Sequence, residues 1–189
     1  MKLNSYNNLL ELFFDQYNKQ DKNKIFLTNL GNPQHKLSWE KTYLLVNHLS
    51  NNISKNIKLG DRCILISENR PEWLISDLAI MLAGGISVPS YTTYTTKDYE
   101  YIIKDCEPSI VIVSNKEQFK KVKDILDYKK IKKIISFDRL ENLNFENYLC
   151  FEDFINQNND FEKFNSEISL KRTDPACIIY TSGTQGNPK

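Results

Sequence analysis

The nine residues TSGTQGNPK at positions 181–189 concentrate groups that could hold a chain of phosphates. The hydroxyls of Thr181, Ser182 and Thr184 can donate hydrogen bonds to phosphate oxygens. Gly183 and Gly186 allow a sharp turn in which backbone amides approach an anion closely. Gln185 adds a side-chain amide donor, and Lys189 a mobile point charge. The pattern is not a Walker loop, which places four residues between its glycines and then Lys with Ser or Thr. Here two residues separate Gly183 from Gly186. Nor is it the G-x-G-x-x-G turn of dinucleotide-binding folds, and RCILISENRP, from Arg62, carries no such glycines after its strand. Taken on composition alone, a stretch rich in Ser, Thr and Gly is more often an ordinary turn. The residue types therefore supply a capacity for phosphate binding, with catalysis and plain nucleotide or partner binding both open.

Other reactive side chains offer less. His35, in a turn, and His48, on a helix, have no Ser/Asp arrangement near them in sequence and read as surface or hydrogen-bonded histidines. Cys63, Cys106, Cys150 and Cys177 are widely spaced, so there is no C-x-x-C motif, and three of them sit among apolar residues as buried reduced thiols. Residues 116–133 hold eight lysines among acidic residues, a solvated helix face on the plainer reading and a contact with an anionic membrane surface on the other. Phe145, Tyr148, Phe151, Phe154, Phe161 and Phe164 read as a packing stripe.

The bulk properties are those of a globular chain. Of 189 residues, 40% are hydrophobic, enough for a core, and 26% are charged. Lys+Arg total 25 against 24 Asp+Glu, which leaves no electrostatic basis for binding nucleic acid. Glu11 and Asp15 interrupt the apolar N-terminal stretch, so it is no secretory signal. No apolar run approaches the ~18 residues that span a bilayer. Cytoplasmic is the default expectation, with the inner membrane face as a peripheral site if the lysine-rich stretch binds there.

Something must position the loop, and the pattern predicts an α/β scaffold. Leu9, Leu10, Phe13, Phe14 and Tyr17 recur at helical spacing. KIFLTNL and HKLS read as strands around a GNPQ turn. Ser38 caps a second helix with Glu40 in its first turn and Leu44, Leu45, Leu49 and Ile53 on one side, ending near Gly60. From Arg62 strand and helix alternate. RCILIS precedes a helix opened by Asn69 and Pro71, which runs through Trp73, Leu74, Leu78 and Met81 to Gly84. ISVPSY precedes a helix capped by Thr95 or Thr96, and SIVIVS precedes one carrying Phe119, Val122, Ile125 and Leu126. IKKIISF is the next strand, residues 138–174 read as loops with short helices, and ACIIY, from Ala176, is a strand leading into the loop. Such alternation predicts a mainly parallel sheet with covering helices. A buried strand ending in a loop with nothing to cover it reads as an incomplete domain.

YTSGTQGNPK closely resembles the signature Tyr-Thr-Ser-Gly-Thr-Thr-Gly-x-Pro-Lys of the AMP-binding, adenylate-forming superfamily, which includes acyl-CoA synthetases, luciferases and carrier-protein adenylation domains. The one departure is Gln185, where threonine is usual; an amide can still donate to phosphate. A second stretch, residues 68–93, looks like the long-chain acyl-CoA synthetase segment at Asn69 to Trp73, Ala83, Gly84, Pro89, Tyr91 and Thr93. LSWEKTYLLVNHLSNNI, with Trp39, resembles the superfamily's first core motif.

The resemblance implies that residues 1–189 are a partial N-terminal AMP-binding domain, the rest of it and a C-terminal domain being absent. It implies an acid–thiol ligase of the long-chain fatty-acid–CoA type: a fatty acid and ATP give acyl-AMP and pyrophosphate, and coenzyme A then takes the acyl group. Thr181, Ser182, Gly183, Thr184, Gln185, Gly186 and Lys189 would bind the ATP phosphates, with Thr181 near Mg²⁺. The catalytic lysine and the adenine, ribose and hinge motifs would lie past Lys189, so residues 1–189 alone are expected to be inactive. Luciferase-like or carrier-protein adenylation, and a non-catalytic nucleotide-binding protein, are the alternatives. Trp73 is better read as core packing than as a substrate contact.

Overall fold

A computed structural model describes residues 6–141, 143, 145–157 and 170–181. Helix α1 (Leu9–Lys19) precedes an antiparallel hairpin of β1 (Ile25–Asn29) and β2 (Asn32–Ser38). Helix α2 (Trp39–Ser54) follows, and from there strands and helices alternate: β3 (Arg62–Ile66), α3 (Pro71–Leu82), β4 (Ile86–Ser90), α4 (Thr96–Cys106), β5 (Ile110–Val113), α5 (Lys116–Val122), β6 (Lys133–Ser136), β7 (Tyr148–Cys150) and α6 (Phe151–Ile155). The five strands β3–β7 form one parallel sheet in the order β4-β3-β5-β6-β7. The chain turns to one side after β3 and to the other after β4, so the parallel sheet with covering helices expected from the alternation is doubly wound.

The strand sequences explain why both faces are covered. Side chains alternate across a strand, and β3 from Cys63, all of β5 and the middle of β6 are consecutive apolar residues, so each face needs its own layer. Cys63, Leu65, Ile110, Ile112 and Ile135 pack into a core shared with α1, α2, α3 and α6. Ile64, Ile66, Val111, Val113 and Ile134 pack into the other, against α4 and α5. Cys63, Cys106 and Cys150 are buried free thiols, as expected, and burial pushes the Cys106 thiol up to about 12.

Caps and buried polar bonds fix the helices. Ser38 accepts from the Lys41 amide at 3.2 Å. Thr95 and Asp98 make a reciprocal capping box at the start of α4. At the other end of α4, Arg62 Nε donates to the Cys106 carbonyl at 2.6 Å, filling an acceptor the helix leaves open. The buried Asn52 amide does the same for α6, donating to the Phe154 carbonyl at 2.6 Å.

Several local expectations are corrected. GNPQ is not the hairpin turn: Asn29 pairs with Asn32, the turn is Leu30–Gly31, and His35 lies in β2. The N-cap of α3 is Arg70, with Pro71 at the first helical position and no side-chain cap bond; Asn69 lies before it. Helix α2 ends at Ser54, before Gly60, and buries Val46, Leu49 and Ile53, while Leu44 and Leu45 stay half-buried. Helix α5 stops at Val122, so Ile125 and Leu126 pack from the following turns. Residues 138–157 hold a fifth sheet strand, β7, where only loops and short helices were expected. Phe151 and Phe154 are buried, Phe145 is exposed and stacked on Tyr128, and Phe161 and Phe164 lie outside the described residues.

Candidate functional site

Parallel strands deliver the loops that follow them to one edge of the sheet, their carboxyl ends, where open α/β sheets bind ligands. Four segments converge there: residues 67–70 after β3, 91–95 after β4, 114–115 after β5, and the chain at 176–181. The last runs beside β4, on the side away from β3. Ser87 donates its amide to the Ala176 carbonyl at 3.2 Å, and the Ile178 amide donates to the Ser87 carbonyl at 2.9 Å. Ser87 and Cys177 form a parallel bridge. ACIIY, expected as a strand, is thus an extended segment joined to β4 by a single bridge at Cys177, and it carries Thr181 to the carboxyl edge.

The switch point, where the order reverses between β3 and β5, is where such folds usually open a crevice. Here Glu68 stands in it, taking amide bonds from Asn115 and Gln118 at 3.5 Å each. Partial burial works to raise the Glu68 carboxyl; hydrogen bonds, that from Asn115 among them, and the Arg70 charge outweigh it and hold the group below its ordinary value. The open cleft lies one strand over, beside β4. It has a volume of about 490 Å³ and is lined by Ser67, Glu68, Asn69, Trp73, Ser90, Thr92 and Ile179, with Pro89 and Tyr91. Its walls mix hydroxyl and amide groups and the Glu68 carboxylate with the faces of Trp73 and Ile179, a composition suited to an organic ligand with one polar end.

Arg70 is adjacent but committed. Its guanidinium makes a two-bond fork on Glu72, at 2.9 and 3.2 Å, and a third bond to Asp138 at 2.9 Å, and it lies over the Phe137 ring at 5.3 Å. It clamps the start of α3 to the end of β6, and its donors are directed at carboxylates rather than at a phosphate. Trp73 is half-buried: it packs on the core under α3 and also walls the cleft, so the packing expectation holds and a ligand-facing surface is added.

Thr181 lies exposed at the end of the extended segment. Ser182, Gly183, Thr184, Gln185, Gly186 and Lys189 lie outside the described residues. Beside Thr181, Tyr180 meets two groups the sequence had not singled out, Asp105 and Tyr94. Tyr180 is buried; its hydroxyl donates to Asp105 Oδ2 at 2.5 Å, and its carbonyl accepts from the Tyr94 hydroxyl at 2.9 Å. Burial and the Asp105 carboxylate both push the Tyr180 phenol above its usual range. Tyr180 was visible as the first letter of the motif, but nothing local announces a partner 75 residues earlier.

His35 and His48 do not meet a nucleophile. Both line a groove between α2, α3 and α6, on the far face of the sheet; His35 Nδ1 is 3.9 Å from Glu72. Cys177 is exposed. Among the described residues no cluster of three or more His, Cys, Asp or Glu could hold a metal, and no helix is long and apolar enough to cross a membrane.

The family model described as AMP-binding enzyme matches residues 13–189. The long-chain-fatty-acid–CoA ligase ACSBG2 of Xenopus laevis is 29% identical over 188 residues, covering 95% of this chain and 25% of its own length. ACSBG2 of Mus musculus is 32% identical over 151 residues, covering 70% of this chain and 21% of its own. The chain thus spans about a quarter of the length of the curated relatives it matches. Among solved structures, the anthranilate CoA ligase AuaEII in complex with anthranoyl-AMP superposes with a TM-score of 0.73 at 22% identity, over 100% of this chain and 35% of that one. At that identity the likeness speaks for the fold.

Proposed function

The chain belongs to the AMP-binding enzyme family, and from that premise we propose that it forms the N-terminal part of the AMP-binding domain of a long-chain fatty-acid–CoA ligase. In this reading a fatty-acid carboxylate oxygen attacks the α-phosphorus of ATP, the bond to the pyrophosphate oxygen breaks, and acyl-AMP forms. The thiol of coenzyme A then attacks the acyl carbon and AMP leaves. The observation that carries the reading is the position of Thr181: the first residue of the hydroxyl- and glycine-rich loop emerges at the carboxyl edge of a parallel sheet, beside the cleft. The long-chain acid is favoured by the segment from Asn69 to Thr93 and by the relatives that bear that name.

The chain's own residues supply binding and orientation. Thr181, Ser182, Thr184 and Gln185 donate hydrogen bonds to the outer phosphates, Gly183 and Gly186 bring backbone amides within reach, and Lys189 neutralises charge as pyrophosphate departs. Magnesium carried with ATP would shield the phosphate oxygens. The Thr181 hydroxyl fits it as one hard oxygen donor, the kind this ion prefers.

The full-length protein is expected to catalyse fatty-acid-dependent exchange of pyrophosphate into ATP and to form acyl-CoA. Residues 1–189 alone are expected to do neither. Exchange with no preference for long-chain over short-chain or aromatic acids would overturn the substrate assignment, and robust exchange by residues 1–189 would overturn the division of labour.

A further inference from the structure

By its backbone the extended segment at 176–180 is joined to β4 by a single bridge; by its side chains it is firmly placed. Two ladder hydrogen bonds, both at Ser87, join it to β4. At its end Tyr180 is held from three sides. Its hydroxyl donates to Asp105 at 2.5 Å, its ring meets Tyr101 edge-on at 6.4 Å, and its carbonyl accepts from the Tyr94 hydroxyl at 2.9 Å. Tyr94 is itself braced edge-on by Tyr91 and Tyr99, at 5.4 and 6.0 Å. Tyr99 is fully buried and donates to the Tyr91 carbonyl at 2.6 Å, and Lys121 donates to the Thr92 carbonyl. The Thr95–Asp98 capping box locks this turn to the start of α4.

The bond to the Tyr180 carbonyl has a directional consequence. A peptide unit is planar, and the described bonds are all trans, so the C=O of Tyr180 and the N–H of Thr181 belong to one rigid plate and point oppositely. Holding the C=O on the Tyr94 hydroxyl turns the Thr181 N–H away from that hydroxyl and sets the direction in which the chain enters residues 181–189. We propose that Tyr94, with the Tyr180–Asp105 pair, is a positioning set that orients the first peptide of the loop toward the triphosphate end of a nucleotide; this rests on the phosphate-binding reading of the loop. The Tyr94 bond acts at the last peptide itself, whereas the ladder bonds at Ser87 lie two and four residues earlier along the chain.

Phenylalanine keeps each ring contact and removes only the hydroxyl, so it is the discriminating substitution. In the full-length protein, measured by ATP–pyrophosphate exchange, Tyr94→Phe is expected to raise KM for ATP about fivefold, the loss of one hydrogen bond's worth of orientation. KM for the fatty acid should not move, and amide hydrogen exchange at residues 181–183 should quicken. Tyr180→Phe should shift KM for ATP in the same direction by less. Unchanged KM for ATP in both variants, or equal rises for both substrates, would refute the proposal. Lys189→Ala in the same assay separates the two readings. If it slows exchange while both Phe variants behave as the parent, only the positioning role fails; if it has no effect, the phosphate loop fails and the positioning role with it. Should Tyr94→Phe not fold, the split between the two KM values in Tyr180→Phe decides alone.

Discussion

The middle of the sheet and its edge are held by opposite means. In β3, β5 and β6, strands lie between strands, the inward residues of both faces are wholly buried, and interchangeable aliphatic side chains do the packing. At the edge, Cys177 and Ile179 are exposed, two backbone bonds hold the segment, and phenol and carboxylate groups with specific partners fix its last residue. The contrast separates stability from placement. Burial in the middle makes the fold, because apolar area removed from water is the large favourable quantity. Directed hydrogen bonds at the edge contribute little net stability, yet they fix the angle at which the loop leaves the sheet.

The contrast can be broken by substitutions that move one property without the other. The largest effect is expected at Ile64, fully buried in the central strand β3. Ile64→Ala should lower unfolding free energy by about 2–5 kcal/mol, measured by urea denaturation, because the cavity adds to the lost transfer free energy. KM for ATP should be unchanged in whatever protein remains folded. Lys189→Ala should do the reverse. Adenylation should slow by on the order of 2–4 kcal/mol of transition-state free energy in single-turnover kinetics, with the denaturation midpoint unmoved. A large midpoint shift there, or none at Ile64, would erase the distinction between the regions.

The smallest effect concerns pH and belongs to the helix layer over the core. Burial, and then the Lys41 charge, lower the His48 pKa below its ordinary 6.5. The unfolded chain therefore takes up the proton first on acidification. The stability from neutral His48 is complete above about pH 6.5 and is lost as pH falls toward the depressed folded value. His48→Gln should flatten the fall in melting temperature between pH 7.5 and 5.5. An unaltered slope would place the acid sensitivity elsewhere.

Much of the scaffold was legible because its signals are local. Ser38 and Thr95 act as the caps their types suggest, and Pro71 stands at the first position of α3. The apolar runs RCILIS and SIVIVS contain buried parallel strands. Strand β7 escaped notice because three residues, Tyr148, Leu149 and Cys150, carry no periodicity; pairing with β6 defines them as a strand. The GNPQ turn was misplaced because Gly and Pro mark turns on average, whereas here the Asn29 side chain accepts from the Gly31 and Asn32 amides and tightens the hairpin one step earlier. Arg70, not Asn69, holds the cap position because the helix begins at Pro71; its guanidinium makes no cap bond and reaches Glu72 and Asp138, the latter 68 residues away.

The sequence by itself determined the family, the alternation of strands and helices, and the loop whose residue types suit phosphate, since each depends on neighbours along the chain. Tertiary structure alone decided that Glu68 occupies the switch point, that the open cleft moves beside β4, and that Tyr94 and Asp105 reach Tyr180. Those contacts join residues up to 86 positions apart. Their geometry depends on strand order and helix packing, which no local pattern of residues encodes.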